Sequence, residues 1–331
     1  MNERPGPSFG ALDLGTNNCR LLVARPQAEG FRVTDAFSRI VRLGEGVAQS
    51  GRLSEQAIER TIGALRVCAG KLRRGGVRRY RAVATEACRR AENRQAFVER
   101  ADDETGLAIE IISPAEEVQL ALEGCAPLFD RTMRRVLLLD IGGGSTELVW
   151  IRLDGEGPPV LAAWTSVGHG VVSLAERYGG DRVDGTAYAA MVAEIDAAIA
   201  PFAAEHEIAA GAAAGTVQLL GTSGTVTTIA GIHLDLPRYD REKVDGLRLG
   251  FGDVAAVIET IVGQDFATRA AQPCIGPGRG DVVVAGCAIL DAVMAACPSR
   301  YLDVADRGLR EGMLLRMMRA DGAGGRENVR P

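Results

Sequence analysis

No Cys-x-x-Cys occurs in this 331-residue chain, and its seven cysteines (Cys19, Cys68, Cys88, Cys125, Cys274, Cys287 and Cys297) are odd in number. That pattern argues against a cysteine zinc site and against a disulfide framework. Small buried thiols in a reducing compartment are expected instead. Histidine is scarce: only His169, His206 and His233 are present, and none is spaced as a metal-binding pair. Excess positive charge is also missing. The net charge is −5, which gives no reason to expect a DNA partner, although local basic stretches exist in KLRRGGVRRYR (71–81) and CRRAENR (88–94). The opening MNERPGPSFG has no apolar segment of signal-peptide length, and no run of about 18 apolar residues is evident, so a cytoplasmic protein without a membrane partner is expected. No linker rich in Pro and Ser separates one part of the chain from another.

Hydrophobic residues make up 47% and charged residues 24% of the chain. At this length, that composition supports two ordinary globular cores. Apolar runs and helical patterns alternate along it. Residues 10–24 read as two strands joined by a tight turn, and FRVTDAF continues with a third. SEQAIERTIGALRVCAGKLRRGG reads as a helix, with Ser54 as N-cap and Gly75-Gly76 as the stop. A strand (VRRYRAVAT), a helix (NRQAFVERADDETG) and a strand (LAIEII) follow. SPAEEVQLALEGC is then a helix with Ser113 as cap, Pro114 at the first helical position and Glu116 three residues after the cap. The second half is built alike. It opens with a hairpin in RRVLLLDIGGGSTELVWIRLD, followed by helices near 171–177 and 186–205 and a strand-turn-helix in VQLLGTSGTVTTIAGI. An apolar helix in GDVVVAGCAILDAVMAAC comes next, then a strand with a closing helix in RYLDVADRGLREGMLLRMM. This alternation predicts α/β layers.

The two hairpins are versions of one another. ALDLGTNNCRLLVA (11–24) and LLLDIGGGSTELVW (137–150) each join two apolar runs through an Asp and a turn of Gly, hydroxyl and amide residues, with Asp13 and Asp140 about 127 positions apart. Gly142, Gly143 and Gly144 let backbone N–H groups approach an anion without side-chain interference, and Ser145 and Thr146 add hydroxyls. In the first copy Gly15, Thr16, Asn17 and Asn18 take those places, and Arg20 follows. Neither copy is a P-loop, and neither fits G-x-G-x-x-G within a dinucleotide unit. A doubled Asp-hairpin suits a phosphate held from two sides. GTSGT, with Gly221, Thr222, Ser223, Gly224 and Thr225, has the form of a third anion-contacting turn at a helix N-terminus.

In their order along the chain, DLGTNNCRLLVA, RLGEGV, VATEACRRAENRQAF, ISPAEEVQLALEGC, LLLDIGGGSTELV, GTSGTVTTIA and RGLREGML resemble the exopolyphosphatase/guanosine pentaphosphate phosphatase family, within the actin–sugar kinase–Hsp70 superfold. The resemblance implies two actin-like (ribonuclease H-like) α/β domains with a phosphate site in the cleft between them; the repeated hairpin puts the boundary so that the domains are 1–128 and 129–320, and the composition of 321–331 predicts a flexible tail. It also implies Mg²⁺-dependent release of terminal phosphate from polyphosphate, or of the 5′ γ-phosphate from guanosine pentaphosphate, in a short two-domain form that is expected to be a homodimer. Ser223 stands where the family commonly has Gly, and Asp245 where many relatives carry His.

Glu116 and Glu117 point about 100° apart on a helix, so they need not share a task. Glu116 fits a capping box with Ser113. Glu117 matches the family's catalytic base, which would orient and deprotonate the attacking water. Glu147 begins the outgoing strand of the second hairpin, where an acid in an apolar strand is costly unless paired or metal-linked. It is expected to help hold Mg²⁺ together with Asp140 and Asp13, and to assist water activation. Arg20 and Arg42 match phosphate-contacting positions, for which a guanidinium fork is well suited. Arg89 and Arg90 extend the expected basic lining. Two other readings remain open: a non-catalytic sensor of guanosine penta- or tetraphosphate, and an ATP-dependent kinase of the same superfold.

Overall fold

The computed structural model describes residues 7–28, 30–77 and 79–326, with side chains through residue 322. The chain divides into two compact units, Met1–Gly124 with Gly308–Pro331, and Cys125–Arg307. The boundary therefore falls a few residues before the expected position near 128. The larger correction is at the other end, where the closing helix Leu309–Arg326 returns to the first unit. Its Leu309, Met313 and Leu314 are buried with Phe9, Ala11, Leu22 and Leu120, which ties chain segments some 300 residues apart into one core. Residues 321–326, expected as flexible tail, continue that helix, while 327–331 lie outside the described residues.

The first unit is built on a five-stranded sheet of order β3-β2-β1-β4-β5: β1 (Phe9–Leu14), β2 (Asn18–Pro26), β3 (Phe31–Ile40), β4 (Arg79–Ala84) and β5 (Ile109–Ile111). β1, β2 and β3 are antiparallel neighbours, whereas β4 runs parallel to β1, and β5 to β4. Both faces of β1 are covered, so its sequence is apolar almost throughout. Leu12 and Leu14 pack with Leu21, Ile62 and Leu65, and Phe9 and Ala11 pack with Leu120 and Met313 on the opposite face. The Glu55–Arg74 helix starts as expected: Ala57 N–H donates to Ser54 Oγ at 3.2 Å.

The second unit holds a six-stranded sheet of order β10-β11-β9-β6-β7-β8: β6 (Arg135–Ile141), β7 (Thr146–Arg152), β8 (Val160–Val167), β9 (Val217–Thr222), β10 (Arg248–Gly250) and β11 (Tyr301–Ala305). Read from β8, its first five strands repeat the order and pairing sense of the first sheet, with β10 added antiparallel at the edge. The two hairpins thus occupy the same place in two copies of one topology. The apolar Val283–Ala296 helix is buried over most of its length. The Gly185–Glu205 helix is long and apolar enough to cross a membrane by composition; its Met191, Ile195 and Ile199 are buried in the unit's core.

Two glycines set how closely the helices of the first unit approach. A Cβ at Gly124 would lie 1.9 Å from the carbonyl oxygen of Gly308, and one at Gly312 would lie 2.0 Å from that of Leu120. The Pro114–Cys125 helix and the closing helix therefore cross backbone to backbone.

Candidate functional site

The two hairpin turns close identically. Gly15 N–H donates to Asn18 O at 2.9 Å, and Gly142 N–H donates to Ser145 O at 2.9 Å. In each, the acidic residue opposes the residue seven positions on: Asp13 faces Arg20, and Asp140 faces Glu147. A loop then covers each turn. Val41 and Arg42 N–H groups donate to Asn17 O, and Gly44 N–H to Thr16 O; Arg42 adopts the left-handed conformation to do so (φ 48°). In the second unit Val171 and Val172 N–H groups donate to Gly142 O and Gly143 O. A Cβ on Gly170 would sit 2.4 Å from Gly143 C, so close packing rather than chance places glycine there.

Several donors at the turns remain open to an anion. The amides of Thr16, Asn17, Gly143 and Gly144 have no acceptor among the described residues. The side-chain oxygens of Asn17 and Asn18 are buried without a hydrogen-bond partner, although Asn17 is only 7% exposed. Buried polar atoms are rarely left this way in a finished protein; these two oxygens are acceptors, so they call for a donor or a cation, while the open amides call for an anion. The Arg20 guanidinium makes no hydrogen bond among the described residues, and the charge it acts on is that of buried Asp13. Not every expected hydroxyl is available, however. Thr146 Oγ donates to His169 O at 2.7 Å, Thr222 Oγ to Arg307 O at 2.7 Å, and Ser223 Oγ to Ile141 O at 2.6 Å. These three protons are engaged by carbonyls rather than offered at the turns, and the side chains act as ties between loops.

In the first unit the parallel strands β1, β4 and β5 end side by side. Thr85 N–H donates to Leu14 O, and Ile112 N–H to Ala84 O. The Pro114–Cys125 helix leaves from this edge, so Glu117, in its first turn, stands at the same strand ends as Asp13. Ser113 Oγ accepts from Glu116 N–H at 3.2 Å. The expected box is only half formed, because the Glu116 carboxylate turns to Arg81 Nη2 at 2.7 Å. Glu117 instead accepts from Arg89 Nη1 at 2.7 Å, and Arg89 is held in turn by Glu86 (3.1 and 2.9 Å) and Ile112 O (3.1 Å). Arg89 thus departs from the expected phosphate-facing lining; it is bound to two carboxylates and orients one of them. Burial works against its charge, and Glu117 and Glu86 more than offset this, so the guanidinium stays above its usual range. Burial pushes the Asp13 carboxyl up from its ordinary value, with Arg20 and Arg310 partly countering the rise.

Asp140 and Glu147 are directly opposed on antiparallel strands and so project from one face of the sheet. Glu147 is 3% exposed, and Ser166 Oγ donates to its Oε1 at 2.7 Å. Two carboxylates of this kind fit Mg²⁺, which is commonly held through one or two carboxylates, waters and substrate phosphate oxygens. No group of three or more His, Cys, Asp or Glu suited to a metal occurs among the described residues. Asp13 fits this task less well, since its opposed neighbour is the cation Arg20.

The Gly221–Thr225 turn joins β9 to the Ser223–His233 helix at the end of the strand beside Asp140, which pairs with Thr222. Ser223 has φ 82°, a conformation that favours glycine, and its hydroxyl bond to Ile141 holds it there. Two residues take on roles that their local sequence does not announce. Arg279 is largely buried, and its guanidinium has one hydrogen bond among the described residues, from Nη1 to Thr228 Oγ at 3.1 Å, with Asp306 near enough to act on its charge but not hydrogen-bonded to it. Burial pushes its pKa down. A cation in this condition calls for an anion, and the pattern PGRGD gives no local sign of it. Asp245 forms a forked ion pair with Arg307 (Nε to Oδ2, 3.0 Å).

Comparison with known proteins agrees with this geometry. The model of the Ppx/GppA phosphatase family matches residues 22–321. Exopolyphosphatase 2 of Mycobacterium tuberculosis is 30% identical over 323 residues, covering 92% of this chain and 97% of that protein. A guanosine-5'-triphosphate,3'-diphosphate pyrophosphatase of Photobacterium profundum is 30% identical over 96% of this chain, which spans 61% of that relative's length. The crystal structure of the Aquifex aeolicus Ppx/GppA family member superposes with a TM-score of 0.74 at 28% identity, over 95% of this chain and 98% of its own. With the family model matched over residues 22–321 and a relative 30% identical over 92% of this chain, the chain belongs to the Ppx/GppA phosphatase family.

Proposed function

We propose that the chain hydrolyses a terminal phosphoanhydride bond, releasing orthophosphate from inorganic polyphosphate or the 5′ γ-phosphate from guanosine pentaphosphate. The observation that carries this reading is Glu117, fixed by Arg89 at 2.7 Å on the strand edge that also bears the first anion turn. A carboxylate so placed serves to orient water and accept its proton. The unengaged amides of Thr16 and Asn17, with Arg20, receive phosphoryl oxygens as charge builds on them. Gly143 and Gly144 of the second unit offer the same amide geometry, and Arg279 supplies a further cation for a more distant phosphate. Mg²⁺, which Asp140 and Glu147 are suited to hold, would offset negative charge on phosphate oxygens. Catalysis of this type is mostly positioning and charge stabilisation.

The test is orthophosphate release, with and without Mg²⁺, from polyphosphates of several lengths, guanosine pentaphosphate and ATP. Release from polyphosphate or guanosine pentaphosphate that requires Mg²⁺ is expected. ADP appearing only with an acceptor, while polyphosphate stays intact, would assign a kinase. Tight guanosine pentaphosphate binding with no release at any Mg²⁺ concentration would assign a sensor.

A further inference from the structure

We infer that Asp245 is a positioning residue for the Gly221–Thr225 turn, acting through Arg307 and Thr222 to hold Ser223 in its left-handed conformation. The inference rests on the reading that this turn meets a substrate phosphate.

The connection can be followed atom by atom. The Asp245 carboxylate accepts from Arg307 Nε at 3.0 and 3.2 Å and from Arg307 Nη2, and its Oδ1 also accepts from the backbone N–H of Asp306 at 3.0 Å. Both side chains are mostly buried, at 13% and 28% exposure, so the pair is shielded from the screening that weakens surface ion pairs. The segment is held from further sides. Gly246 N–H donates to Val304 O at 2.8 Å, Tyr239 OH to Asp306 Oδ2 at 2.6 Å, and Arg241 Nη2 to Asp306 O at 2.6 Å. This fixes the Arg307 carbonyl, which accepts from Thr222 Oγ at 2.7 Å and from Cys125 Sγ at 3.3 Å. Thr222 is the residue immediately before Ser223.

A non-glycine residue at φ 82° persists only where its surroundings over-determine it. Ser223 is gripped on both sides. Its own hydroxyl reaches Ile141 O at 2.6 Å, next to Asp140. Its preceding residue is tied, through Arg307, to Asp245. Without Asp245 the Arg307 side chain and the Asp306 N–H lose their shared acceptor, the position of Thr222's acceptor is less firmly held, and Ser223 has a downhill path to φ < 0. That change would rotate the amides at the start of the Ser223–His233 helix away from the strand edge. Asp245 has no part in the chemistry itself. It is 62 residues from Arg307 in sequence and acts by keeping a strained turn aimed.

The test uses the full-length protein and inorganic polyphosphate with Mg²⁺, reading KM and kcat separately and thermal melting in parallel. Asp245→Ala is expected to raise KM about tenfold, the equivalent of releasing one strained residue, with kcat within about threefold; Asp245→Asn, which keeps the shape, covers the case that the alanine variant does not fold, and is expected to raise KM less. The decisive variant is the double substitution with Ser223→Gly. Glycine takes φ 82° unaided, so Asp245→Ala together with Ser223→Gly is expected to return KM to within about twofold of Ser223→Gly alone, a non-additive pair. A KM rise that persists undiminished in the double variant overturns the inference, as does an unchanged KM in Asp245→Ala. Gly224→Glu separates the two levels, because it places a carboxylate at the turn. A raised KM there with an unchanged Asp245→Ala defeats the positioning role alone, whereas an unchanged KM in Gly224→Glu removes the turn from the substrate's path, and both readings fall.

Discussion

Replacing Glu117 by Gln removes the proton acceptor and leaves almost everything else in place, which makes its effect calculable. The amide oxygen of Gln still accepts from Arg89 Nη1, which lies 2.7 Å from the Glu117 carboxylate. Arg89 keeps its two bonds to Glu86, at 3.1 and 2.9 Å, and its bond to Ile112 O at 3.1 Å. The structural loss is therefore one charge-assisted bond weakened to a neutral one, about 1–2 kcal/mol. At roughly 2–4 °C per kcal/mol for a unit of this size, melting should fall by about 2–8 °C. The catalytic loss is larger, since removing a general base costs about 10²–10⁴-fold in rate, or roughly 2.7–5.5 kcal/mol in the barrier. The assay is orthophosphate release from polyphosphate at saturating substrate and Mg²⁺, with calorimetric melting of the same sample. Turnover within tenfold of the unmodified protein, at an intact melting transition, would refute the assignment of Glu117 as the base. Arg89→Met provides the complement: it removes the cation that both Glu86 and Glu117 accept from, and should lower both the rate and the melting temperature.

Asp13→Asn should raise the melting temperature at neutral pH. Burial lifts the folded pKa of Asp13 above its unfolded value, so holding it ionised costs stability as pH rises through the folded pKa, and that cost is absent below the unfolded pKa. The gain from Asn should accordingly shrink as melts are run towards acid, and a pH-independent difference would contradict it. Gly312→Ala places a Cβ 2.0 Å from Leu120 O, so two helix backbones must separate by about 1 Å or more. Destabilisation near the top of the overpacking range, about 3 kcal/mol, is expected by chemical denaturation. Gly322→Ala in the same helix meets nothing within 4 Å and should be neutral or stabilising, by about 0.5–1 kcal/mol. Equal outcomes for the two glycines would show that the helix crossing is not close.

Much of this molecule is written locally. The paired Asp-hairpins, the Ser54 cap, the start of the Pro114–Cys125 helix and the buried Val283–Ala296 helix all rest on relations within a few residues, where strand alternation, helix periodicity and capping leave a readable trace. Even the doubling of the fold is legible, because its two hairpins keep the same order of Asp, turn and apolar run. Other features depend on residues far apart in the chain, and local pattern carries no record of them. Glu117 looks the same in sequence whether or not Arg89, 28 residues earlier, reaches it. The hydroxyls of Thr146, Thr222 and Ser223 look like phosphate donors until three carbonyls from other loops are found to accept their protons. Arg279 becomes a candidate anion contact only because burial leaves its guanidinium a single hydrogen bond, to Thr228, among the described residues. The closing helix joins the first unit because Leu309 and Met313 find apolar partners on β1, some 300 residues upstream. Periodicity decides which faces of an element are buried; only packing decides what each buried face, and each polar group beside it, is buried against.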